Sequence, residues 1–300
     1  MDGHDELARR FEERRGRLRA VAHRVLGSAE EAEDAVQETW LRLSRTDADS
    51  IDNLAGWLTT VVSRVCLDML RSRASRREEP YGPQVPERAG ANAPEEEAVL
   101  GDSVSIALLV VLERLGPAER VAFVLHDLFG VPFDQVAAVV DRSVPAAKKL
   151  ASRARHKVRG TPAVPDAELD RHRRVVEAFL AAARGGDLGG LLDVLAPDVV
   201  RRADPAVLPP GVPAELRGAR AVAEGTLALR ERSRFAALAL VDGDAGIVVA
   251  PRGRLLLALT VTVTDGRITA YDVVADPARL RRVGLGVLDL PAVSARSRTP

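Results

Sequence analysis

The chain contains 300 residues, which at about 100–200 residues per domain predicts two or three domains with sizeable cores. It has 43 Lys and Arg residues against 43 Asp and Glu residues, and a zero net charge by itself argues against a polyanionic partner. The single cysteine, Cys66, excludes an intrachain disulfide. No apolar run approaches the ~20 residues of a membrane span, and the acidic N-terminus is unlike a signal peptide. We therefore expect a cytoplasmic protein that makes no membrane contact.

Two proline-rich breaks divide the chain. Residues 77–99 contain four prolines and little apolar periodicity, which is typical of a linker. At Gly160–Pro165 a helical pattern stops at a glycine, and two prolines follow. We expect the following blocks and tail: 1–76, 100–160, 166–290 and 291–300.

The first block has the pattern of helices throughout. Ser28 and Glu31 form a capping box ahead of a second helix, on which apolar residues recur at helical spacing. The other side of that helix is polar, and most surfaces of this kind are simply solvated. A third helix is predicted from Leu54 to Arg73, with a basic C-terminal half. Trp57 lies on its apolar stripe and is expected to pack in the core.

The middle block is predicted to contain short helices that end in a helix-turn-helix. The predicted helices are Ile106–Leu115, Ala118–Leu128, Pro132–Val140 and Val144–Val158. Asp141–Ser143 would form the tight turn before the last helix, as in proteins that place that helix in the DNA major groove. From Asp141 to Arg159, seven basic residues outnumber one acid. A solvated basic helix is the alternative, but the turn and the charge together favour DNA binding.

The last block changes from helix to strand. It opens with an amphipathic helix, on whose apolar side His172 is expected to be a packed core residue. The predicted strands, separated by hairpin signals, are Phe235–Leu240, Ala245–Val249, Leu255–Val263 and Ile268–Val274. A curled antiparallel sheet packed on helices, in an α+β module, is the expected fold.

Signatures of catalysis are absent from the sequence. No lysine follows a glycine, so there is no phosphate-binding P-loop, and the five histidines lack the spacing of metal ligands. The Gly185–Gly186 and Gly189–Gly190 pairs follow a helix rather than a strand and are interpreted as a helix stop. We therefore expect no catalytic residue, no metal, no cofactor and no enzyme activity.

Charge is distributed unevenly along the chain. The end of the first block is basic, the linker is acidic, with Glu95, Glu96 and Glu97 among its acids, and the last helix of the middle block is basic again. This layout fits a protein that contacts DNA at two separate places, although a charged tether alone is commonly only solvated.

Several segments of the chain resemble conserved regions of a known protein family. Asp34–Leu43 and Asn53–Arg71 resemble the second conserved region of extracytoplasmic-function (ECF) sigma factors, and Pro132–Ala138 and Leu150–Arg155 resemble their fourth region. The last block resembles the SnoaL-like, nuclear-transport-factor-2-like (NTF2-like) extension that one subgroup carries at its C-terminus. The resemblance implies a multidomain fold: two all-α sigma domains, the second with a helix-turn-helix, and then an α+β cone domain.

The resemblance also implies a function for each block. Residues 1–76 would form the region 2 domain, which binds core RNA polymerase and the minus-ten element. Residues 77–99 would be the acidic linker, and 100–160 the region 4 domain, which binds the minus-thirty-five element. Residues 166–290 would form the regulatory domain. The chain would direct core polymerase to promoters and start transcription, under control of its own C-terminal domain.

The partners implied are the β′ clamp helices and β flap of core polymerase and promoter DNA, with a small molecule or a protein as a signal for the C-terminal domain. The residues expected to bind core polymerase are Asp34, Gln37, Glu38 and Leu41. Those expected to bind the minus-ten element are Asn53, Thr60, Arg64, Arg71 and Arg73. Those expected at the minus-thirty-five element are Arg142, Ser143, Lys148, Lys149, Ser152, Arg153, Arg155 and His156.

Three segments correspond to motifs of the subgroup and are expected to act in regulation. The linker motif keeps Tyr81, Gly82 and Pro83 but lacks a tryptophan. An early motif of the extension is represented by a segment that begins at Asp204. A late motif is represented by Asp276–Leu280, including Pro277.

Two other functions remain open from the sequence. The protein could be a ligand-sensing helix-turn-helix regulator that binds an operator without polymerase. Alternatively, the C-terminal block could be an enzyme, since related cone-shaped folds hold catalytic pockets, but only fold analogy supports this.

Overall fold

The computed structural model describes residues 2–47, 51–76, 106–208 and 211–289. The predicted linker and tail, and with them Tyr81, Gly82 and Pro83, lie outside these ranges. Helices dominate up to residue 159. They are α1 Asp2–Leu26, α2 Ala29–Leu43, α3 Leu54–Arg76, α4 Ile106–Glu113, α5 Pro117–Phe123, α6 Phe133–Val140 and α7 Val144–Arg159.

Helices α1, α2 and α3 form the first helical bundle. The Ser28 hydroxyl accepts a hydrogen bond from the Glu31 backbone N–H (3.4 Å), which caps α2 as predicted. The rings of Phe11 and Trp40 lie with their centroids 5.0 Å apart between α1 and α2. Trp57 is partly buried against the core, in line with its expected packing role. Helix α3 continues three residues beyond its predicted end.

Helices α4 to α7 form the second helical bundle. The predicted helix Ala118–Leu128 is α5 followed by a π-helical turn, Val124–Leu128. The predicted tight turn is present: Asp141 adopts a left-handed conformation (φ 54°), which aspartate tolerates better than most residues. The Ser143 hydroxyl then caps α7 by accepting from the Ala146 N–H at 3.4 Å.

The C-terminal module contains helices and one seven-stranded sheet. Its helices are α8 Asp166–Gly185, α9 Leu188–Val194, α10 Ala219–Leu227, α11 Arg230–Ser233 and α12 Pro277–Leu280. Its strands are β1 Leu195–Ala203, β2 Glu215–Arg217, β3 Ala236–Val241, β4 Asp244–Val249, β5 Leu257–Thr264, β6 Arg267–Val274 and β7 Leu285–Gly286. Gly186 ends α8 with a positive φ of 73°, which confirms the helix stop predicted at Gly185–Gly186. Gly189 and Gly190 instead lie inside α9, so the stop predicted there was wrong.

The sheet order is β2-β1-β6-β5-β4-β3-β7. Its pairs are antiparallel except β1 with β6, which are parallel, so the expectation of a wholly antiparallel sheet was wrong. Strand β1 was missed because it contains Pro197 and three charged residues, which obscure the alternation of a strand. Strands β2 and β7 are too short to give a pattern. The hairpin turns at Asp242–Gly243 and Asp265–Gly266 were predicted correctly and have positive φ at each residue.

The two faces of the sheet belong to different cores. One face, the inner face, packs beneath α8 and α10. The opposite face, the outer face, shares a continuous core with both helical bundles. Its contributing side chains include Ala239, Val241, Val248, Ala250, Ala258 and Val274. The C-terminal module is therefore joined to the helical bundles by buried apolar contact.

Among the described residues, none of the helices combines the length and the apolar character needed to cross a bilayer.

Candidate nucleic-acid interface and its contacts

Helix α2 presents the four residues expected to bind core polymerase. Asp34 and Gln37 are exposed, and Glu38 forms an ion pair with Arg42 at 2.8 Å. Leu41 is 40 % exposed, although leucine side chains of this size are usually covered. The buried side of α2 packs on α1 and α3, so all four residues share the side that faces away from the bundle.

Helix α3 carries the residues expected at the minus-ten element. Asn53 caps the helix, because its Oδ1 accepts from the Gly56 N–H at 3.0 Å. The Thr60 hydroxyl donates to the Gly56 carbonyl oxygen at 2.9 Å. Arg64 is exposed, yet its Nη2 donates to the carbonyl oxygen of Ala138 in α6 at 2.8 Å. The side chain of Arg64 therefore bridges the two helical bundles.

The other two arginines of this set differ in accessibility. Arg71 is half exposed and lies 3.8 Å from Asp68. Arg73 is mostly covered, forms an ion pair with Glu31 and donates to the Leu26 carbonyl oxygen at 3.3 Å. A DNA contact by Arg73 would require this ion pair to open.

Helix α7 separates a buried alanine-rich side from a basic side. The buried residues Ala147, Ala151, Ala154 and Val158 are mostly small, which lets α7 pack closely on α5 and α6. The exposed residues expected to contact DNA are Arg142, Ser143, Lys148, Lys149, Ser152, Arg153 and His156. The structure therefore brings seven of the eight predicted residues onto one accessible turn and helix.

Arg155 is the exception within this set. Its Nε donates to Asp127 Oδ1 at 2.7 Å, so its cation is held against the π-helical turn. Lys157 makes a similar contact from α7 to Glu119 of α5 at 2.6 Å. The acids on α5 and the π-helical turn thus orient the basic helix. Sequence reasoning missed these pairs because each joins residues far apart in the chain.

A buried arginine lies between the helical bundles. Arg120 of α5 is only 4 % exposed, and burial lowers the pKa of its guanidinium to about 10, although Glu113 opposes the shift. An added Cβ at Gly27, after α1, would lie 3.1 Å from its Nη2. Arg24 of α1 stacks over Phe129 at 5.0 Å in the same region. This contact could not be predicted, because Arg120 belongs to an ordinary helix pattern.

The C-terminal module is bonded directly to the end of α7. The Val287 N–H, just after β7, donates to the Val158 carbonyl oxygen at 2.8 Å. The backbones approach so closely that a Cβ at Gly286 would lie 2.6 Å from the Arg159 carbonyl oxygen. Arg114, which follows α4, donates to the carbonyl oxygens of Leu280 (2.8 Å) and Val283.

The predicted regulatory residues Asp204 and Asp276 meet in space. One carboxylate oxygen of Asp204 accepts from the N–H groups of Ala275 (2.8 Å) and Asp276 (2.9 Å), and the other pairs with Arg279. Partial burial raises the pKa of Asp204, but these hydrogen bonds and Arg279 outweigh burial and lower it overall. Pro277 and Leu280 begin and end α12, the short helix that this clamp positions.

His172 is largely covered, as expected, but its surroundings are not purely apolar. Its Nδ1 lies 2.8 Å from an Asp244 oxygen, and Glu168 lies 3.8 Å from its Nε2. No group of three or more histidine, cysteine or acidic residues within the described ranges is arranged to hold a metal ion.

Comparison with known proteins identifies the class. Residues 10–76 match the family "Sigma-70 region 2", and residues 105–158 match "Sigma-70, region 4". The chain is 41 % identical over 284 residues to the ECF RNA polymerase sigma factor SigJ of Mycobacterium tuberculosis, covering 89 % of this chain and 91 % of SigJ. The chain therefore belongs to the ECF family of RNA polymerase sigma factors, which work with core RNA polymerase and promoter DNA. This confirms the family recognised in the sequence.

The similarity extends through the C-terminal module. The chain is also 36 % identical over 287 residues to the probable ECF RNA polymerase sigma factor SigI of M. tuberculosis, covering 93 % of this chain and 97 % of SigI. The crystal structure of SigJ aligns with 91 % of this chain and 98 % of its own, with a TM-score of 0.45 and 36 % identity. An NTF2-like protein from Mesorhizobium loti aligns with 38 % of this chain and 97 % of its own, with a TM-score of 0.28 and 14 % identity.

The expected fold class is confirmed. Helical bundles, the second with a helix-turn-helix, precede an α+β module whose single sheet wraps one core with α8 and α10. Family membership also favours the sigma factor over a regulator that acts without polymerase.

Proposed function

We propose that this chain directs core RNA polymerase to specific promoters and that its C-terminal module controls this activity in cis. The sequence-based division at 1–76, 100–160 and 166–290 is kept as the proposed set of functional domains. The protein would act in the cytoplasm, where polymerase and chromosomal DNA are found, and without an enzyme activity of its own.

The exposed side of α2 is the proposed surface for the β′ clamp helices. It combines acidic groups at Asp34 and Glu38 with the exposed apolar side chain of Leu41. Interfaces commonly combine an apolar centre with a polar rim. Gln37 lies beside them on the same side. A second polymerase contact, between the second helical bundle and the β flap, is proposed from family membership.

Helix α7 is the proposed reader of the minus-thirty-five element. Lys148, Lys149 and Arg153 can approach phosphates or guanine edges, because they lie on the exposed side of the helix. In this conformation Lys148 Nζ lies 5.8 Å from the centroid of the Phe133 ring. Arg155 is proposed to support α7 through Asp127 in this conformation, and its DNA contact remains a prediction.

Helix α3 is the proposed contact with the minus-ten element. Opening a promoter exposes bases that a protein can stack and hold, while arginines contact the backbone. Arg64 and Arg71 are accessible for such contacts, but Arg64 is hydrogen bonded to α6 in this structure.

The single observation that carries the regulatory proposal is the direct contact between the two helical bundles. Promoter elements about 25 base pairs apart lie about 85 Å apart at about 3.4 Å per base pair. A domain of about 100 residues has a radius of gyration of about 13 Å, so two domains in contact cannot reach both elements. The described conformation would therefore be a closed state that opens on core polymerase.

The C-terminal module is proposed to stabilise this closed state. It is bonded to Val158 at the end of α7 and to Arg114 after α4, and its outer face shares the core of both bundles. Loosening these contacts would release the second helical bundle to follow DNA. The linker motif at Tyr81, Gly82 and Pro83 is also proposed to take part in this regulation.

Transcription with purified core polymerase tests the proposal. The template is a library of genomic fragments from the source organism, and transcript 5′ ends are sequenced with and without the full chain. We expect start sites that depend on the chain and share two upstream elements. Absence of any such start site, together with tight binding of the free chain to one duplex sequence, would support the polymerase-independent regulator instead.

A further inference from the structure

The inner face of the sheet encloses an apolar cavity of about 700 Å³, including the open space at its mouth. Its apolar lining comes from α8 and the strands and includes Phe179, Leu180, Val249, Leu257, Leu259 and Val273. Neither an aspartate nor a glutamate is among the described residues that line it.

A cation nevertheless lines this cavity. Arg201 of β1 is 2 % exposed, and its Nη2 donates to the Pro213 carbonyl oxygen at 2.6 Å. Its Nε is buried and has no hydrogen-bond partner among the described residues. No described carboxylate lies within ion-pair distance of Arg201. Burying a charge without a partner is costly, so the side chain has an unmet need for an acceptor.

The other polar groups of the cavity do not accept a hydrogen bond from Arg201 Nε. The Thr226 hydroxyl donates to the Val222 carbonyl oxygen at 2.8 Å, so it accepts from the Tyr271 hydroxyl, which lies 2.8 Å away. Burial raises the pKa of Tyr271, which keeps the phenol neutral. Arg232 at the cavity donates to the Val207 carbonyl oxygen at 2.6 Å and adds a second positive charge.

We propose that the cavity binds a small organic acid whose carboxylate accepts from Arg201 Nε and whose apolar body lies against Phe179 and the strand side chains. A guanidinium is well suited to a planar carboxylate. A hydrated inorganic anion fits poorly, because the apolar lining cannot replace its water shell. The ligand would thus provide both the missing acceptor and the apolar contact that the cavity offers.

The cavity and the outer face lie on opposite sides of strand β4. On β4, Ile247 and Val249 line the cavity, whereas Val248 and the residue after the strand, Ala250, pack in the core shared with the helical bundles. Successive side chains of a strand point to opposite faces, so a shift of β4 would move both surfaces. An effect of the acid on bundle opening rests on the proposed function, whereas binding of the acid does not.

Calorimetry and thermal unfolding of the full chain test the binding. The probes are straight-chain carboxylates from hexanoate to dodecanoate, the corresponding primary alcohols and inorganic phosphate. We expect at least one carboxylate to bind and to raise the unfolding midpoint, as a ligand of the native state must. Arg201→Met should lower the affinity for that carboxylate about tenfold or more and leave the weaker affinity for the alcohol unchanged.

Arg202→Met is the matched control. Arg202 is the next residue on β1, but it forms an ion pair with Glu215 outside the cavity. This variant should bind the carboxylate as the unchanged protein does. Arg201→Lys, which keeps the charge but lacks Nε, should bind with intermediate affinity. Binding of no carboxylate, equal binding of acid and alcohol, equal binding by Arg201→Met, or preference for phosphate would each overturn the proposal. None of these outcomes depends on transcription, so failure here is distinct from failure of the sigma function.

Discussion

Arg114 donates a hydrogen bond of 2.8 Å to the carbonyl oxygen of Leu280, which ties the start of the second helical bundle to the end of α12 in the C-terminal module. The same guanidinium also donates to the Val283 carbonyl oxygen. Because both acceptors are backbone groups, the contact fixes the path of the chain between β6 and β7. Arg114 therefore connects the second helical bundle to the C-terminal module directly, through hydrogen bonds.

Arg114→Ala should loosen this link. Hydrogen bonds from a charged donor contribute about 1.5–3 kcal/mol when buried, and partial exposure of Arg114 reduces this to about 1 kcal/mol. We expect faster hydrogen exchange at the Val287 amide, which bonds to Val158, and more transcript per polymerase from a responsive promoter. Arg281→Ala, at an exposed neighbouring arginine, is the control. Unchanged exchange at Val287 in Arg114→Ala would contradict the role given to this contact.

Asp204→Ala should release α12. The change removes an acceptor for the N–H groups of Ala275 and Asp276 and the partner of Arg279, at a cost of about 2 kcal/mol. The pKa of Asp204 is lowered in the fold, so its contribution is present above the ordinary value of about 3.9 and disappears as pH falls through the folded value. Urea unfolding at pH 7 and at pH 3 measures both effects. A difference between the two proteins that is as large at pH 3 as at pH 7 would argue against the charge-based clamp.

Lys149→Ala and Arg153→Ala should each lower the affinity for duplex DNA. Each should also make that affinity less dependent on salt concentration. A phosphate contact contributes about 0.9 to the slope of log K against log salt, so each change should lower that slope by about one. Fluorescence anisotropy of the full chain with a labelled duplex gives the slope. Lys157→Ala is the control, since Lys157 lies on the same helix but forms an ion pair with Glu119 of α5. If all three variants shared the slope of the unchanged protein, α7 would not be the DNA-contacting helix.

Acidification should lower the stability of the fold through His23. Burial, and then the charges of Arg24, Arg19 and Arg120, lower the pKa of His23. The unfolded chain therefore binds the proton more readily, and stability falls as pH drops below the ordinary histidine value of about 6.5. His23→Gln should flatten this part of the profile of unfolding midpoint against pH from 7.5 to 5.5. Two parallel profiles would rule out His23 as the titrating group.

The sequence was most informative where one element carries its own pattern. The basic side of α7, the Asp141 turn and the exposed side of α2 each come from residues a few positions apart on one helix, so helical spacing alone places them together. The hairpins of β3 with β4 and β5 with β6 were equally clear, because their turn residues adopt positive φ. Strand β1 was not predicted, because it carries charged residues and pairs in parallel with β6, which lies far along the chain.

The contacts that the sequence did not predict join residues that are distant in the chain. Arg64 with Ala138, Arg120 beside Gly27, and Arg155 with Asp127 connect elements whose sequences look like ordinary solvated helices. The same holds for Arg201, which looked like one of many surface arginines and is instead buried in the cavity.

The sequence by itself determined the family, the helix-turn-helix and the two basic regions hidden within a zero net charge, because these depend on local spacing and on the order of residues. Only the tertiary structure decided which charges are accessible. Arg153 faces solvent whereas Arg155, two residues later, is held by Asp127, and Arg64 is hydrogen bonded to Ala138 of the other helical bundle. Burial and ion pairing depend on which elements meet in space, and the chain order does not specify that.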